Sequence, residues 1–359
     1  MRLLVVDTYI EEKNQDKMIK ETKINLLFDE PTHTYTNGDT GDIFTSATTI
    51  IGEYKDKFNT RYWSMYTALK NKGFRLRMDK AEIYITVNNI KQHINTLYSN
   101  PMYAKLAERT KEDWTNKTDR ANKRGNKIHD YLEDSINESR GDAKATHNSL
   151  INPLSVEGRN DDELVIIKTV HDLDATNLKD TYPMIYDKLL FYIKRGWTII
   201  AEKRIYSSHY MIAGMIDVLI VKGKKFRILD WKSNKDEMMF ESGYYKKIKQ
   251  EDGSFIRGTE WIRRDDRMRV PLNNLQVCKG TIYSLQLSLY AYLMEMWGYV
   301  LDNTNNEGLE ICHIRPHRKP IMIKIKYHKQ DIFNMLEHHR NSGFNNINDE
   351  VKETGFGIF

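Results

Sequence analysis

The sequence predicts an α/β (α+β) chain in which short strands, several of them in hairpins, alternate with amphipathic helices. Three observations carry that prediction. Residues 214–232 read G-M-I-D-V-L-I-V-K-G-K-K-F-R-I-L-D-W-K, two apolar runs around a Lys222-Gly223-Lys224-Lys225 turn, which is the pattern of a β-hairpin. Residues 113–137 put Trp114, Ala121, Ile128, Leu132 and Ile136 on one helical stripe, and residues 282–297 do the same with Leu285, Leu289 and Leu293. A second hairpin is expected from residues 310–314 and 321–327.

The remaining elements follow in chain order. Residues 24–51 read as short β structure, with Phe28 and Tyr35 around a polar turn at Pro31 and turn signals at Asn37-Gly38 and Thr40-Gly41. Residues 55–110 read as mainly helical; Phe58, Tyr62, Trp63 and Tyr66 recur at near-helical spacing and are expected in a core. Residues 138–162 are polar and rich in Gly, Ser and Asn, hence a loop or insertion. A helix is expected over 186–194, ended by Gly196, and a strand from Trp197. Residues 238–280 form a long charged insertion with a basic hairpin at 244–249 and 255–261. Gly298 stops the helix 282–297, and a last helix covers 330–340. The domain division expected is an extension of short strands and helices over 1–112, a core over 113–341, and a peripheral tail over 342–359.

Composition limits the classes. With 40% hydrophobic and 29% charged residues in 359, the chain has the balance of a globular protein. A net charge of +5 permits a polyanionic partner, and the basic clusters at 244–249 and 313–329 give it a place to bind. Cys278 and Cys312 are too few for a disulfide framework or a four-thiolate iron–sulfur cluster. No apolar run reaches about 18 residues, so no membrane helix is expected. The opening M-R-L-L-V-V-D-T-Y-I, broken by Asp7, does not read as a signal peptide. The cytoplasm is the expected compartment, and no membrane partner is expected.

The hairpin also carries the chemistry. If Gly223-Lys224 is its two-residue loop, Lys222 pairs with Lys225 and Asp217 falls opposite Asp230. Period-two alternation puts Lys232 on the face of Asp230. Two acids and an amine then converge in an apolar hairpin, which is costly unless they are paired or hold a metal. As an exposed pair, Asp230 and Lys232 would mean little. On the helix over 113–137, Gly125, His129 and Glu133 share a face at four-residue spacing, and imidazole is a common ligand for divalent ions. Glu202, on the preceding strand, is expected to pair beside residues 214–220 and bring a third carboxylate near Asp217. Gln286 and Tyr290 share a face of an otherwise apolar helix, where polar groups need partners.

In order, the chain gives G-x-x-x-H, E, G-x-x-D, D-x-K and Q-x-x-x-Y at residues 125–129, 202, 214–217, 230–232 and 286–290. That order resembles the PD-(D/E)XK nuclease superfamily, specifically its RecB-like branch, which includes phage exonucleases and mitochondrial genome-maintenance exonucleases. The stretch His33-Thr34-Tyr35…Gly41…Ser46-Ala47-Thr48-Thr49-Ile50-Ile51 is similar to the leading segment of phage members. The resemblance spans roughly residues 28–340 through motif order alone. Asp230 stands where many members have Glu, the four cluster cysteines of some members are missing, and no Walker A motif is present.

The resemblance implies a restriction-endonuclease-like core, with a central mixed β-sheet flanked by helices and an N-terminal β/helical extension. The implied activity is metal-dependent hydrolysis of DNA, as an exonuclease in phage replication, recombination or degradation in a bacterial host cell. Single-stranded DNA or DNA ends are the implied partner, and Mg²⁺, with Mn²⁺ as substitute, the cofactor; no iron–sulfur cluster is expected. By role, Asp217, Asp230, the Trp231 carbonyl and His129 would hold the metal. Lys232 would orient the attacking water or stabilise the transition state, and Glu202 would assist. Gln286 and Tyr290 would position the substrate, and Glu133 would support His129. Residues 55–110 are a candidate arch around a strand. A structure-specific or nicking endonuclease, or a non-catalytic DNA-binding protein with this fold, are the alternatives.

Overall fold

The computed structural model describes residues 21, 24–29, 32–70, 76–78, 83–86, 88–137, 145–146, 163–164, 166–176, 178–251 and 255–342. In chain order the strands and helices are β1 (Leu26–Asp29), β2 (Thr34–Asn37), β3 (Ile43–Ser46), α1 (Ala47–Glu53), α2 (Thr60–Lys70), β4 (Leu76–Met78), β5 (Ile83–Ile85), α3 (Ile94–Ser99) and α4 (Pro101–Asn137). Then come β6 (Ala145–Thr146), β7 (Glu163–Leu164), β8 (Ile166–Ile167), α5 (Val170–Asp174), α6 (Leu178–Thr181), α7 (Pro183–Ile193), β9 (Thr198–Ser207), β10 (Ile212–Lys222) and β11 (Lys225–Lys232). The chain continues through β12 (Gly243–Lys249), β13 (Phe255–Arg263), α8 (Lys279–Met296), β14 (Val300–Leu301), β15 (Leu309–His313), β16 (Ile321–Lys324) and α9 (Lys329–Asn341).

The described residues form two compact units, one from residues up to 55 together with those from 128 on, the other from residues 56–127. Helix α4 runs unbroken both through residue 112, where a boundary is expected from the sequence, and through the division at Lys127 and Ile128. Pro101 sits at its first turn, where no amide hydrogen is needed, and Gly125 is its single glycine. The tail expected over 342–359 lies, after Ser342, outside the described residues, as does most of 138–162.

The larger unit is built on a mixed sheet flanked by helices. Its strand order is β1-β2-β3-β10-β11-β15-β16, with β9 on the other edge of β10, β8 beyond β9, and β14 beside β11. The β3–β10 and β11–β15 pairs are parallel; β9, β10 and β11 run antiparallel in succession. Alternation along β11 sorts side chains onto two faces: Phe226 and Ile228 join one apolar cluster, Leu229 and Trp231 the other. The first cluster is closed by α1, α8 and α9, the second by α5, α6 and α7. Helix α8 is apolar nearly all round and correspondingly buried, from Ile282 through Met294.

The smaller unit packs Met65, Leu69, Ile85, Ile90, Leu97, Tyr103 and Ala107, with Tyr62 and Tyr66 against them. Phe58 and Trp63 do not join that core. They are exposed and stack on each other, with ring centroids 6.4 Å apart and 9° between planes.

Candidate active site

The site forms where β10 changes neighbours. On one edge, Ile212 and Ala213 pair with Thr45 and Ser46 of β3, and Val218–Lys222 pair with Leu229–Lys225 of β11. Residues 214–217 lie between these two ladders. The hairpin register is the one the sequence predicts, Lys222 against Lys225, but the ladder stops at Val218 and Leu229, one residue short of Asp217 and Asp230. The reason is local. The Asp217 carboxylate takes the next ladder position itself, its Oδ2 accepting the Trp231 N–H at 2.9 Å. A side-chain acceptor there satisfies a backbone donor and spreads the strands at their ends.

On the other edge, the pairs Ile216–Lys203 and Val218–Ala201 bracket Asp217 and Glu202, so the register brings Glu202 beside Asp217. Glu202 adopts φ of 53°, a left-handed conformation that costs a non-glycine residue roughly 1–2 kcal/mol. This kink separates Glu202 from the regular alternation of β9.

Asp230 is 1% exposed, and its Oδ2 lies 2.6 Å from Lys232 Nζ. Both of its oxygens are buried and neither accepts a hydrogen bond of good geometry among the described residues. Burial raises the Asp230 carboxyl well above the usual range, and the charge of Asp217 pushes the same way. Burial alone would lower the Lys232 ammonium; the charges of Asp230 and Asp217 outweigh it and hold the amine raised, hence protonated. Lys232 Nζ also sits 5.0 Å from the Tyr283 ring centroid, at cation–π range.

Helix α8 covers this side of the sheet. Gln286 Nε2 donates to Tyr290 Oη at 3.1 Å. The Tyr290 ring lies so close to β10 that a Cβ on Gly214 would meet Tyr290 Cε1 at 2.5 Å, which explains a glycine three residues before Asp217. Burial, with Tyr35 nearby, keeps the Tyr290 hydroxyl protonated far above its ordinary range.

The structure therefore gathers Asp217, Asp230, Lys232, Glu202, Gln286 and Tyr290 around the ends of β10 and β11. The Trp231 side chain belongs to the apolar cluster on the opposite face. His129 and Glu133 lie on α4, and their side chains fall outside the described residues. Several neighbours were missed from sequence. Tyr283 shares the α8 face of Gln286 and Tyr290, so its helical spacing was a usable signal. Tyr35 is raised by burial, and also feels Arg204, Glu202 and Asp217; its approach from β2 depends on strand order, which has no local signature. His313, opposite Lys232 in the parallel β11–β15 pair, holds the Asn234 carbonyl 3.0 Å from Nε2. Burial lowers its imidazole, so it stays neutral and pins the turn after Lys232.

A divalent cation fits this donor set. Asp217 and Asp230 are hard oxygen donors crowded enough to repel each other, and Asp230 Oδ1 is buried without a hydrogen bond. Among the described residues no group of three or more His, Cys, Asp or Glu side chains is disposed to enclose a metal. Two carboxylates suit an ion that retains much of its water, as Mg²⁺ does. The described cysteines take no part: Cys278 caps α8, and burial pushes the Cys312 thiol up to about 12. No described helix is long and apolar enough to cross a membrane. No protein-family model matches the chain, and comparison with curated proteins and with solved structures likewise gave no match.

Proposed function

We propose that this protein is a metal-dependent deoxyribonuclease of the PD-(D/E)XK type, acting as an exonuclease on DNA. The observation that supports this most is the Asp230 carboxylate, buried beside Asp217 and ion-paired with Lys232 through Oδ2, with neither oxygen accepting a hydrogen bond of good geometry among the described residues. An unsatisfied buried acceptor costs about 1–3 kcal/mol, a cost that a bound cation would offset. Asp217 and Asp230 would hold Mg²⁺ or Mn²⁺, with the Trp231 carbonyl and His129 as further donors. When bound, the ion supplies positive charge at the phosphate and lowers the pKa of water.

The chain's own groups do the rest. Lys232, held protonated by Asp230, offers a fixed positive charge to developing negative charge on phosphate oxygen. Asp230 keeps that ammonium in place, and Tyr283 covers it. The Gln286–Tyr290 pair lines the same side and orients the strand. Tyr290, packed on Gly214, fixes how far β10 and α8 approach.

Asp217→Asn and Lys232→Met are expected to lower cleavage of end-labelled DNA by at least about 10³-fold, with folding retained by circular dichroism. Cleavage is also expected to stop with a chelator and return with Mg²⁺ or Mn²⁺. Wild-type turnover by either variant, or activity after complete metal removal, overturns the reading. Linear against circular single-stranded DNA separates the modes: an exonuclease spares the circle, and a nicking or structure-specific endonuclease does not.

A further inference from the structure

Between Lys232 and α8 the chain leaves the sheet to build the β12–β13 ribbon, whose strands pair only with each other. Its root is a knot at Ser242. The Ser242 carbonyl accepts from Arg264 N at 2.9 Å, its hydroxyl donates to the Arg264 carbonyl at 2.6 Å, and its N–H donates to Gln276 Oε1 at 3.0 Å. The ribbon is thus fixed at its base, which lies in the chain between the candidate site lysine and the helix carrying Tyr283 and Gln286.

The register sorts its side chains onto two faces. Tyr245, Lys247 and Lys249 of β12 share a face with Arg257, Trp261 and Arg263 of β13; the register shifts between the pairs Tyr245–Trp261 and Lys247–Arg257, and the Arg257 guanidinium over the Tyr245 ring joins the two sides of that shift. Among the described side chains, that face carries four cations, no acid and the Tyr245 and Trp261 rings, 4.9 Å apart at a steep angle. Arg257 stacks 3.7 Å over Tyr245 and pairs with Asp236, and Arg263 pairs with Glu241 at 2.8 Å. Lys247 and Lys249 are exposed, and no carboxylate pairs with them among the described residues. They sit two residues apart on one strand, about 7 Å. The opposite face carries one exposed ring, Tyr244, with the Arg264 guanidinium 5.7 Å from its centroid; its Lys246 is neutralised by Glu260 at 2.9 Å, and Ile248 and Ile256 are half exposed.

We propose that the cationic, aromatic face of this ribbon binds a single strand of DNA, with Lys247 and Lys249 on successive phosphates and the Tyr245–Trp261 pair beside the unstacked bases. Interleaved cations and rings are what a single strand recruits, because its phosphates and its ring faces are both exposed. A ribbon serving only to keep its edges from pairing with other chains would need the lysines but no aromatic pair on the same face. The inference rests on the nuclease reading only for what happens to the strand afterwards.

The test uses the full chain and a labelled oligothymidylate in chelator, so that binding is read without cleavage. Lys247→Glu/Lys249→Glu is expected to weaken binding by about tenfold or more, and Lys247→Gln/Lys249→Gln to reduce the log–log salt slope by about 1.4. Lys246→Ala, on the opposite face, is expected to stay within about twofold. Unaltered thermal melting excludes misfolding as the cause. Unchanged affinity in the Glu variant overturns the proposal, as does equal weakening by Lys246→Ala. An equal loss on duplex DNA, or on an acidic polypeptide of matched charge, overturns the assignment to a single strand. Ribbon-dependent binding without cleavage by the wild type would sink the nuclease reading and leave the ribbon standing. Cleavage with unchanged affinity in the Glu variant would do the reverse.

Discussion

Two hairpins of this protein carry Lys–carboxylate pairs of almost the same length, 2.6 Å for Lys232–Asp230 at the end of β11 and 2.9 Å for Lys246–Glu260 on the ribbon. Their side chains are 14% and 2% exposed in the first pair, 61% and 59% in the second. Solvent is therefore the difference. On the ribbon, water screens both charges and holding the long side chains costs entropy, so the pair contributes little. Under α8 both charges are largely desolvated, and each depends on the other. The buried pair shows it in the direction of its shifts: burial raises Asp230, and the neighbouring carboxylates raise Lys232 against its burial. Length alone does not rank ion pairs in this molecule; desolvation does.

The sharpest way to break that contrast is to remove one buried partner. Asp230→Ala strands the Lys232 ammonium under α8 and is expected to cost about 3–5 kcal/mol in urea denaturation. A loss below about 1 kcal/mol would mean that water reaches the pair.

Lys203 extends the comparison to a buried amine that no described carboxylate neutralises. It is 1% exposed, lies 6.0 Å from the Trp297 ring centroid, and burial with help from Arg204 lowers it to about 7. Its folded value lies below its unfolded one, so the unfolded state binds the extra proton between them. Its penalty is full below about pH 7 and fades as pH rises toward the ordinary lysine range. Lys203→Met is expected to stabilise the protein at pH 6 by on the order of 3 kcal/mol, with the advantage shrinking by pH 10. A pH-independent difference between variant and wild type would refute this. At the small end, Lys246→Ala is expected to change stability by less than about 1 kcal/mol, less still in high salt.

How much of this could be read beforehand depends on the range of the interactions. The Lys222–Lys225 register followed from a glycine turn and period-two patterning, both local. The helix expected over 282–297 from apolar spacing and a glycine stop lies at Lys279–Met296, that expected over 186–194 from its glycine stop at Pro183–Ile193, and that expected over 330–340 at Lys329–Asn341. Glu202 was expected beside Asp217 because consecutive antiparallel strands tend to neighbour each other, and the register places it there. Its left-handed backbone had no signal, since glutamate gives no hint of positive φ. Nor did the Asp217 carboxylate announce that it would replace a ladder partner and end the hairpin early. The parallel pair β11–β15 sets His313 opposite Lys232 across about 80 residues, beyond any local pattern. Phe58 and Trp63 missed the core for the opposite reason, because helical spacing does not say which face is covered.

The knot at Ser242 has a consequence for how this chain can be remodelled. Arg264 and Ser242 already touch through two backbone-directed hydrogen bonds, so the 21 residues from Gly243 to Arg263 leave and return through a single doorway. Excising them and joining the doorposts with a short turn would leave the sheet, α8 and the buried pair with their existing neighbours. The same doorway would accept a graft of different length, since lengthening an excursion whose ends are already tied adds little closure entropy.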